Sequence, residues 1–86
     1  MLDVYQQVRT ASHKVAGIRQ VQRALNRDSA ILLVVAEDAE ARLTAPLVQL
    51  AEKRRIAVQR VPSMRQLGRA CRLEVGTAAC LILQKS

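Results

Sequence analysis

Seven consecutive residues, Ala30-Ile31-Leu32-Leu33-Val34-Val35-Ala36, carry no polar side chain. This run is too short for a membrane span, which needs about 20 apolar residues. It is the length of a β-strand, rich in Val, Ile and Leu, and it lacks polar alternation. Such a strand must be covered on both faces, so helices are expected above and below a sheet.

The flanking periodicities supply the helices. Val4, Val8, Ala11 and Val15 recur at helical spacing, which predicts a helix over residues 3–14 with Asp3 at its start. Gly17 interrupts. A second helix follows with Ile18, Val21, Ala24 and Leu25 on one face and Arg19, Arg23 and Arg27 on the other, Gln20 beside them. Asn26-Arg27-Asp28-Ser29 ends it. After the apolar strand, Glu37-Asp38-Ala39-Glu40 reads as an acidic loop. The next helix is expected to begin near Thr44-Ala45-Pro46, with Thr44 as cap, because proline fits only the first turn. Leu43, Leu47, Leu50 and Ala51 form its apolar stripe. Residues 56–61 alternate as a short strand. Ser63 then caps a fourth helix with Met64, Leu67, Ala70 and Cys71 on one side and Arg65, Arg69 and Arg72 on the other. Leu73-Glu74-Val75-Gly76 is a loop, and residues 79–83 a last apolar strand. The fold class is therefore α/β, with helices on both faces of a small sheet. At 86 residues the chain makes one domain.

Charge narrows the function. Fourteen Lys and Arg oppose seven Asp and Glu, for a net charge of +7. The excess is polarised: residues 53–72 hold seven cations and no anion, and residues 37–52 four anions and one cation. Arg outnumbers Lys 11 to 3, and the guanidinium fork matches phosphate oxygens and base edges. The expected partner is an anionic polymer, with nucleic acid preferred over a membrane surface. There is no Phe or Trp and one Tyr. Base stacking on aromatic platforms is thus poorly served, and a folded, shaped nucleic acid is favoured over a single strand.

Enzymatic chemistry has little to stand on. No phosphate-cradling glycine loop exists among Gly17, Gly68 and Gly76, and His13 is the only histidine. Glu37, Asp38 and Glu40 read more simply as a turn than as an acid–base cluster. Two cysteines, Cys71 and Cys80, and one histidine cannot by themselves make a four-ligand zinc site, and they suit free thiols in a reducing compartment. No metal or cofactor is expected. The N-terminus has no secretory signal pattern, and a cytoplasmic location is expected.

Two motifs decide among binding functions. Gly17-Ile18-Arg19-Gln20-Val21-Gln22-Arg23 resembles the RNA-contacting motif of the ribosomal protein L7Ae family, whose members bind kink-turns. Leu67-Gly68-Arg69-Ala70-Cys71-Arg72-Leu73-Glu74-Val75-Gly76 resembles its second signature, and residues 35–39 its strand-to-acidic-loop segment. The register holds from about Val4 to Leu83 and is similar to the short bacterial members of the YbxF and YlxQ type. The resemblance implies a three-layer α/β/α sandwich around a four-stranded mixed sheet, with an extra first strand near Val15 and Ala16. It implies recognition of an RNA helix–bulge–helix with tandem sheared G·A pairs. By this resemblance Gly17 gives close backbone approach. Arg19 and Gln20 stand at the G·A base edges, where archaeal members have Asn-Glu. Arg23 takes a lysine's place, Arg27 a basic position one turn on, and Glu40 an acidic position near the bulge. Leu73, Glu74 and Val75 match the loop that covers an extruded nucleotide. Arg72 stands where glycine is usual. Arg69 and Arg72 extend the basic surface of the fourth helix. The expected protein is an RNA-binding monomer, ribosomal or part of another ribonucleoprotein, with no membrane partner. The competing reading is a scaffold module whose basic face meets an acidic partner; a DNA-binding use of the fourth helix is a third.

Overall fold

The computed structural model describes residues 3–84. Its elements run α1 (Val4–Thr10), β1 (Lys14–Ala16), α2 (Ile18–Arg27), β2 (Ala30–Ala36), α3 (Ala41–Lys53), β3 (Ala57–Val61), α4 (Met64–Ala70) and β4 (Ala79–Leu83). The strands form one sheet in the order β1-β4-β2-β3. β4 runs antiparallel to both β1 and β2, whereas β2 and β3 are parallel. The sheet is therefore mixed, and its two central strands are the apolar ones.

β2 explains the layering. Leu33 and Val35 face a core formed with Val21, Ala24 and Leu25 of α2 and Leu47, Val48 and Ala51 of α3. Leu32, Val34 and Ala36 face a second core, formed with Val8 of α1 and Leu67 and Ala70 of α4. Alternate side chains of a strand point to opposite faces, so the two cores lie on opposite sides of the sheet. The result is the three-layer α/β/α sandwich. Leu33 pairs with Leu81, and Leu32 with Ile82, so β4 is divided between the same two cores. A register shift at Ile31 breaks the alternation, and that side chain is 56% exposed instead of buried.

Two boundaries depart from the expectations. The first helix ends at Thr10, and residues 14–16 pair with β4 instead (Lys14 with Ile82, Val15 with Leu81, Ala16 with Cys80). The ammonium of Lys14 donates to the carbonyls of Val8 (2.8 Å), Arg9 (3.3 Å) and Ala11 (3.1 Å), closing the end of α1. The third helix begins at Ala41 with Glu40 as cap residue, a turn before Thr44. Thr44 is buried and its hydroxyl donates to the Ala41 carbonyl at 3.4 Å. Pro46 therefore lies inside the helix, on its exposed side, where water can serve the carbonyl its missing N–H leaves. Leu43 is off the buried stripe, at 38% exposed.

The remaining caps match their residues. Asp3 and Gln6 form a reciprocal capping box at α1, and Ser63 accepts from the Gln66 N–H at 3.1 Å. At the end of α3 the Arg54 guanidinium donates to the Leu25 carbonyl in the last turn of α2 and ties the two helices together.

Candidate nucleic-acid interface

The candidate residues lie on loops and helix ends whose placement follows from the strand directions. β1 ends where β4 begins: the Gly17 N–H donates to the Ala79 carbonyl at 3.0 Å. Alongside, Ala36 N–H donates to Ala78 (2.9 Å) and Glu37 N–H to Val61 (2.7 Å). The acidic turn is fastened to α4 by Asp38, whose carboxylate accepts from the Met64 N–H at 2.9 Å. Thr77 N–H donates to Met64 at 3.1 Å. The head of α2, the turn over residues 37–40, the head of α4 and the approach to β4 thus gather at one end of the sheet.

Gly17 opens α2 at φ 99° and ψ 149°, a conformation that side-chain-bearing residues rarely adopt. A Cβ there would also lie 2.5 Å from the Gln20 amide oxygen, which folds back over the glycine. No side chain caps this helix, and its first turn has no acidic residue. Its leading N–H groups and the positive end of its dipole are therefore left to an external acceptor. Arg19, Gln20, Arg23 and Arg27 are all exposed along the outer side of α2. Arg27 lies at the far end, about 15 Å from Gly17 at 1.5 Å per residue. It makes an exposed 3.6 Å contact with Asp28, a pair that contributes little.

The loop after α4 is built on two glycines. Helix α4 ends with Cys71; Arg72 N–H donates to Arg69 and Leu73 N–H to Gly68, each at 2.9 Å, which is a complete Schellman turn. Arg72 occupies its left-handed position at φ 64°. The chain keeps the turn that glycine usually makes there. It then doubles back over the helix so closely that a Cβ on Gly68 would stand 2.1 Å from the Val75 carbonyl oxygen. A Cβ on Gly76 would stand 3.2 Å from the Met64 backbone. This pressing leaves Leu73 39% and Val75 71% exposed, with Glu74 between them also in solvent. Aliphatic side chains held outward on a packed loop are a surface for an apolar partner face, such as that of an unstacked base.

Glu40 sits at the head of α3, its carboxylate accepting from Arg42 Nε at 2.7 Å. Arg69 is the candidate placed apart. It lines a cleft with Asp3, Tyr5, Gln6, Arg9 and Gln66, between α1 and α4, across the sheet from α2. Sequence periodicity puts Arg69 on an exposed helix face but does not say that α1 is its neighbour. Asp38 as the link between acidic turn and α4 is equally hidden, since its partner is a backbone N–H 26 residues away.

The thiols pack under this loop. Cys80 is buried in the second core and Cys71 lies half-buried against it. The Cys80 thiol, hydrogen-bonded to Cys71, holds Cys71 below the ordinary thiol range against the opposing effect of burial, with Lys14 assisting. Cys80 itself is pushed up by the same hydrogen bond and by burial. Among the described residues no group of three His, Cys, Asp or Glu is placed to hold a metal, and no helix is long and apolar enough to cross a membrane.

A three-layer sandwich with a basic helix headed by a glycine at positive φ is the frame of a known class of protein. The model of the ribosomal protein L7Ae/L30e/S12e/Gadd45 family matches residues 1–86, and the chain belongs to that family. Among its bacterial relatives is an RNA-binding protein of Bacillus pumilus (strain SAFR-032), 42% identical over 79 residues, covering 92% of this chain and 96% of the relative. Another is RNA-binding protein YbxF of Geobacillus stearothermophilus, 38% identical over 80 residues, covering 93% and 98%. The fold is shared with a Giardia lamblia 15.5 kD RNA-binding protein, at TM-score 0.82 and 23% identity over 95% of this chain and 69% of that one.

Proposed function

We propose that this protein is an RNA-binding protein that recognises kink-turn-like structured RNA. It acts as one domain spanning residues 1–86, monomeric when free, on ribosomal or other ribonucleoprotein RNA in the cytoplasm, and it binds without catalysing a reaction. The observation that carries this reading is the head of α2. An uncapped helix start, opened by a glycine at φ 99°, stands at the end of the sheet to which the loop that holds Leu73 and Val75 outward returns, where Gly76 and Thr77 pass the head of α4. The bacterial relatives named as RNA-binding proteins support the partner class.

In this reading the α2 N–H groups and Arg23 meet phosphate, Arg19 and Gln20 meet base edges, and Arg27 extends the contact along the duplex. Glu40 lies near the bulge, Leu73, Glu74 and Val75 cover an extruded nucleotide, and Arg72 adds charge beside them. Arg69 contributes from across the sheet, through the field of the whole basic surface. Gln20 both donates and accepts, where a carboxylate only accepts. Guanine N–H donors and acceptors are thus both within its repertoire.

The test is a gel-shift comparison of a kink-turn RNA, the same RNA with its G·A pairs disrupted, and a plain duplex. The reading expects the kink-turn to bind at least tenfold tighter than either control. It also expects Arg23→Ala to weaken kink-turn binding by about 1–3 kcal/mol, while Lys53→Ala, at the far end of α3, leaves it unchanged. Equal affinity for all three RNAs would overturn it.

A further inference from the structure

Arg9 and Arg69 come from two different helices and line one cleft of about 280 Å³, together with Gln6, Gln66, Tyr5 and Asp3. Both helices are fixed at their ends. Asp3 and Lys14 close α1, and Ser63 and Asp38 cap α4, whose far end is the Schellman turn. The two guanidinium groups are therefore held on rigid backbones. Neither has an ionic or hydrogen-bonding partner among the described residues. The one carboxylate in the cleft, Asp3, is engaged by the Gln6 N–H at 2.8 Å, and the Tyr5 hydroxyl accepts from the Ser63 N–H at 3.3 Å. Arg65 lies one helical turn from Arg69 on the exposed side of α4, and Arg72 follows its end. Among the described residues that line the cleft the one anion is Asp3, against two cations.

This surface is not a continuation of the α2 stripe. α1 and α4 pack on the Leu32, Val34 and Ala36 side of the sheet, and α2 packs on the other. An RNA duplex lying along α2 is separated from the cleft by the sheet. Unpaired guanidinium forks flanked by neutral amides suit phosphate oxygens, which accept two parallel N–H bonds.

We propose that the α1–α4 cleft is a second RNA-binding surface, taking the phosphodiester backbone of an RNA segment other than the one held at α2, so that the protein bridges two segments of a folded RNA. This rests on the reading that α2 holds RNA. The bridging segment is read by charge and shape, without base contacts, because the cleft offers few base-edge partners besides its two amides.

The experiment saturates the protein with kink-turn RNA and then titrates a fluorescent plain RNA duplex. Wild type captures the duplex in a ternary complex. Arg9→Gln loses more than threefold in duplex capture, lowers its log–log salt slope by about one unit, and changes kink-turn affinity less than twofold; adding Arg69→Gln deepens the loss of capture. Arg9→Lys/Arg69→Lys keeps the charge and retains part of the capture, and Lys53→Gln is neutral. Equal thermal melting of the variants confirms that they fold. Duplex capture reduced less than threefold in Arg9→Gln overturns the proposal. So does a loss of kink-turn affinity as large as the loss of capture, which would mean a single continuous site. Stronger displacement of the duplex by poly-glutamate than by unlabelled duplex of equal charge also overturns it, in favour of an acidic protein partner. Preference for kink-turn over G·A-disrupted RNA is measured before duplex is added. Its absence would refute the reading of α2 while the Arg9 and Arg69 comparison, scored on duplex alone, still stands.

Discussion

Arg55 and Arg72 occupy the left-handed position after α3 and α4, at φ 60° and 64°. Each ends its helix in the same hydrogen-bonded turn: Ile56 N–H reaches Ala51 at 2.8 Å as Leu73 N–H reaches Gly68. An L side chain there costs roughly 1–2 kcal/mol, offset in part by the greater freedom that glycine has when unfolded. Arg55→Gly and Arg72→Gly should therefore each raise stability, by about 0.5–1 kcal/mol in urea unfolding. Only Arg72→Gly should also weaken RNA binding, because Arg55 lies at the other end of the sandwich. The thiols give a second expectation at this scale. The Cys80 hydrogen bond keeps Cys71 below the usual thiol range, so Cys71 carries more thiolate at neutral pH. Iodoacetamide should label Cys71 in the native protein and reach Cys80 only after unfolding, as peptide masses would show. In Cys80→Ala the pH midpoint of Cys71 labelling should rise, since the stabilising donor is gone. An unchanged midpoint would mean that Lys14 alone sets it.

At the scale of elements, α2 and α3 share a core and a polar tie, Arg54 to the Leu25 carbonyl. That carbonyl is one of the last four of α2 and lacks an intrahelical donor. Arg54→Ala should cost about 1–2 kcal/mol in thermal unfolding, with kink-turn affinity measured on the folded protein unchanged. Arg54 reads in sequence only as a cation at the negative end of its own helix; its partner 29 residues away is a product of packing. The same limit explains what else is hidden from the sequence. The apolar run of β2, the alternation before Val61, the Ser63 cap and the Gly17 break are local signals, and they appear where periodicity and capping place them. The helix expected over residues 3–14 is too long because Val15 continues the helical spacing of Val4, Val8 and Ala11. Only pairing with β4 draws residues 14–16 into a strand. The start expected for α3 is a turn late because Thr44 and Pro46 together imitate a helix start. Burial of Thr44 overrides that imitation. In the site, α2 is legible residue by residue, because a helix stripe needs no tertiary knowledge. The neighbour of Arg69 is not.

Over the whole molecule, which measures 30 × 27 × 23 Å, the proposed function divides the holding of RNA between charge and apolar surface. In it the α2 stripe would act through long-range charge. The Leu73–Val75 loop, whose two aliphatic side chains are held outward where the chain presses on Gly68, would act at close range. The two differ in how salt weakens them. Removing one cation from a phosphate takes about 0.7–0.9 off the log–log slope of affinity against salt, because fewer counterions are then released on binding. An apolar side chain against an unstacked base releases none. Arg23→Ala should therefore flatten the slope and show little of its effect at high salt. Leu73→Ser/Val75→Ser should leave the slope as in wild type and lower affinity by a constant factor, about tenfold if the two side chains give up roughly 1–2 kcal/mol of apolar burial. The measurement is a salt titration of kink-turn affinity for wild type and both variants, with circular dichroism to confirm folding. A double Ser variant that binds as wild type does, or whose weakening appears only as a changed slope, would remove the loop from the interface.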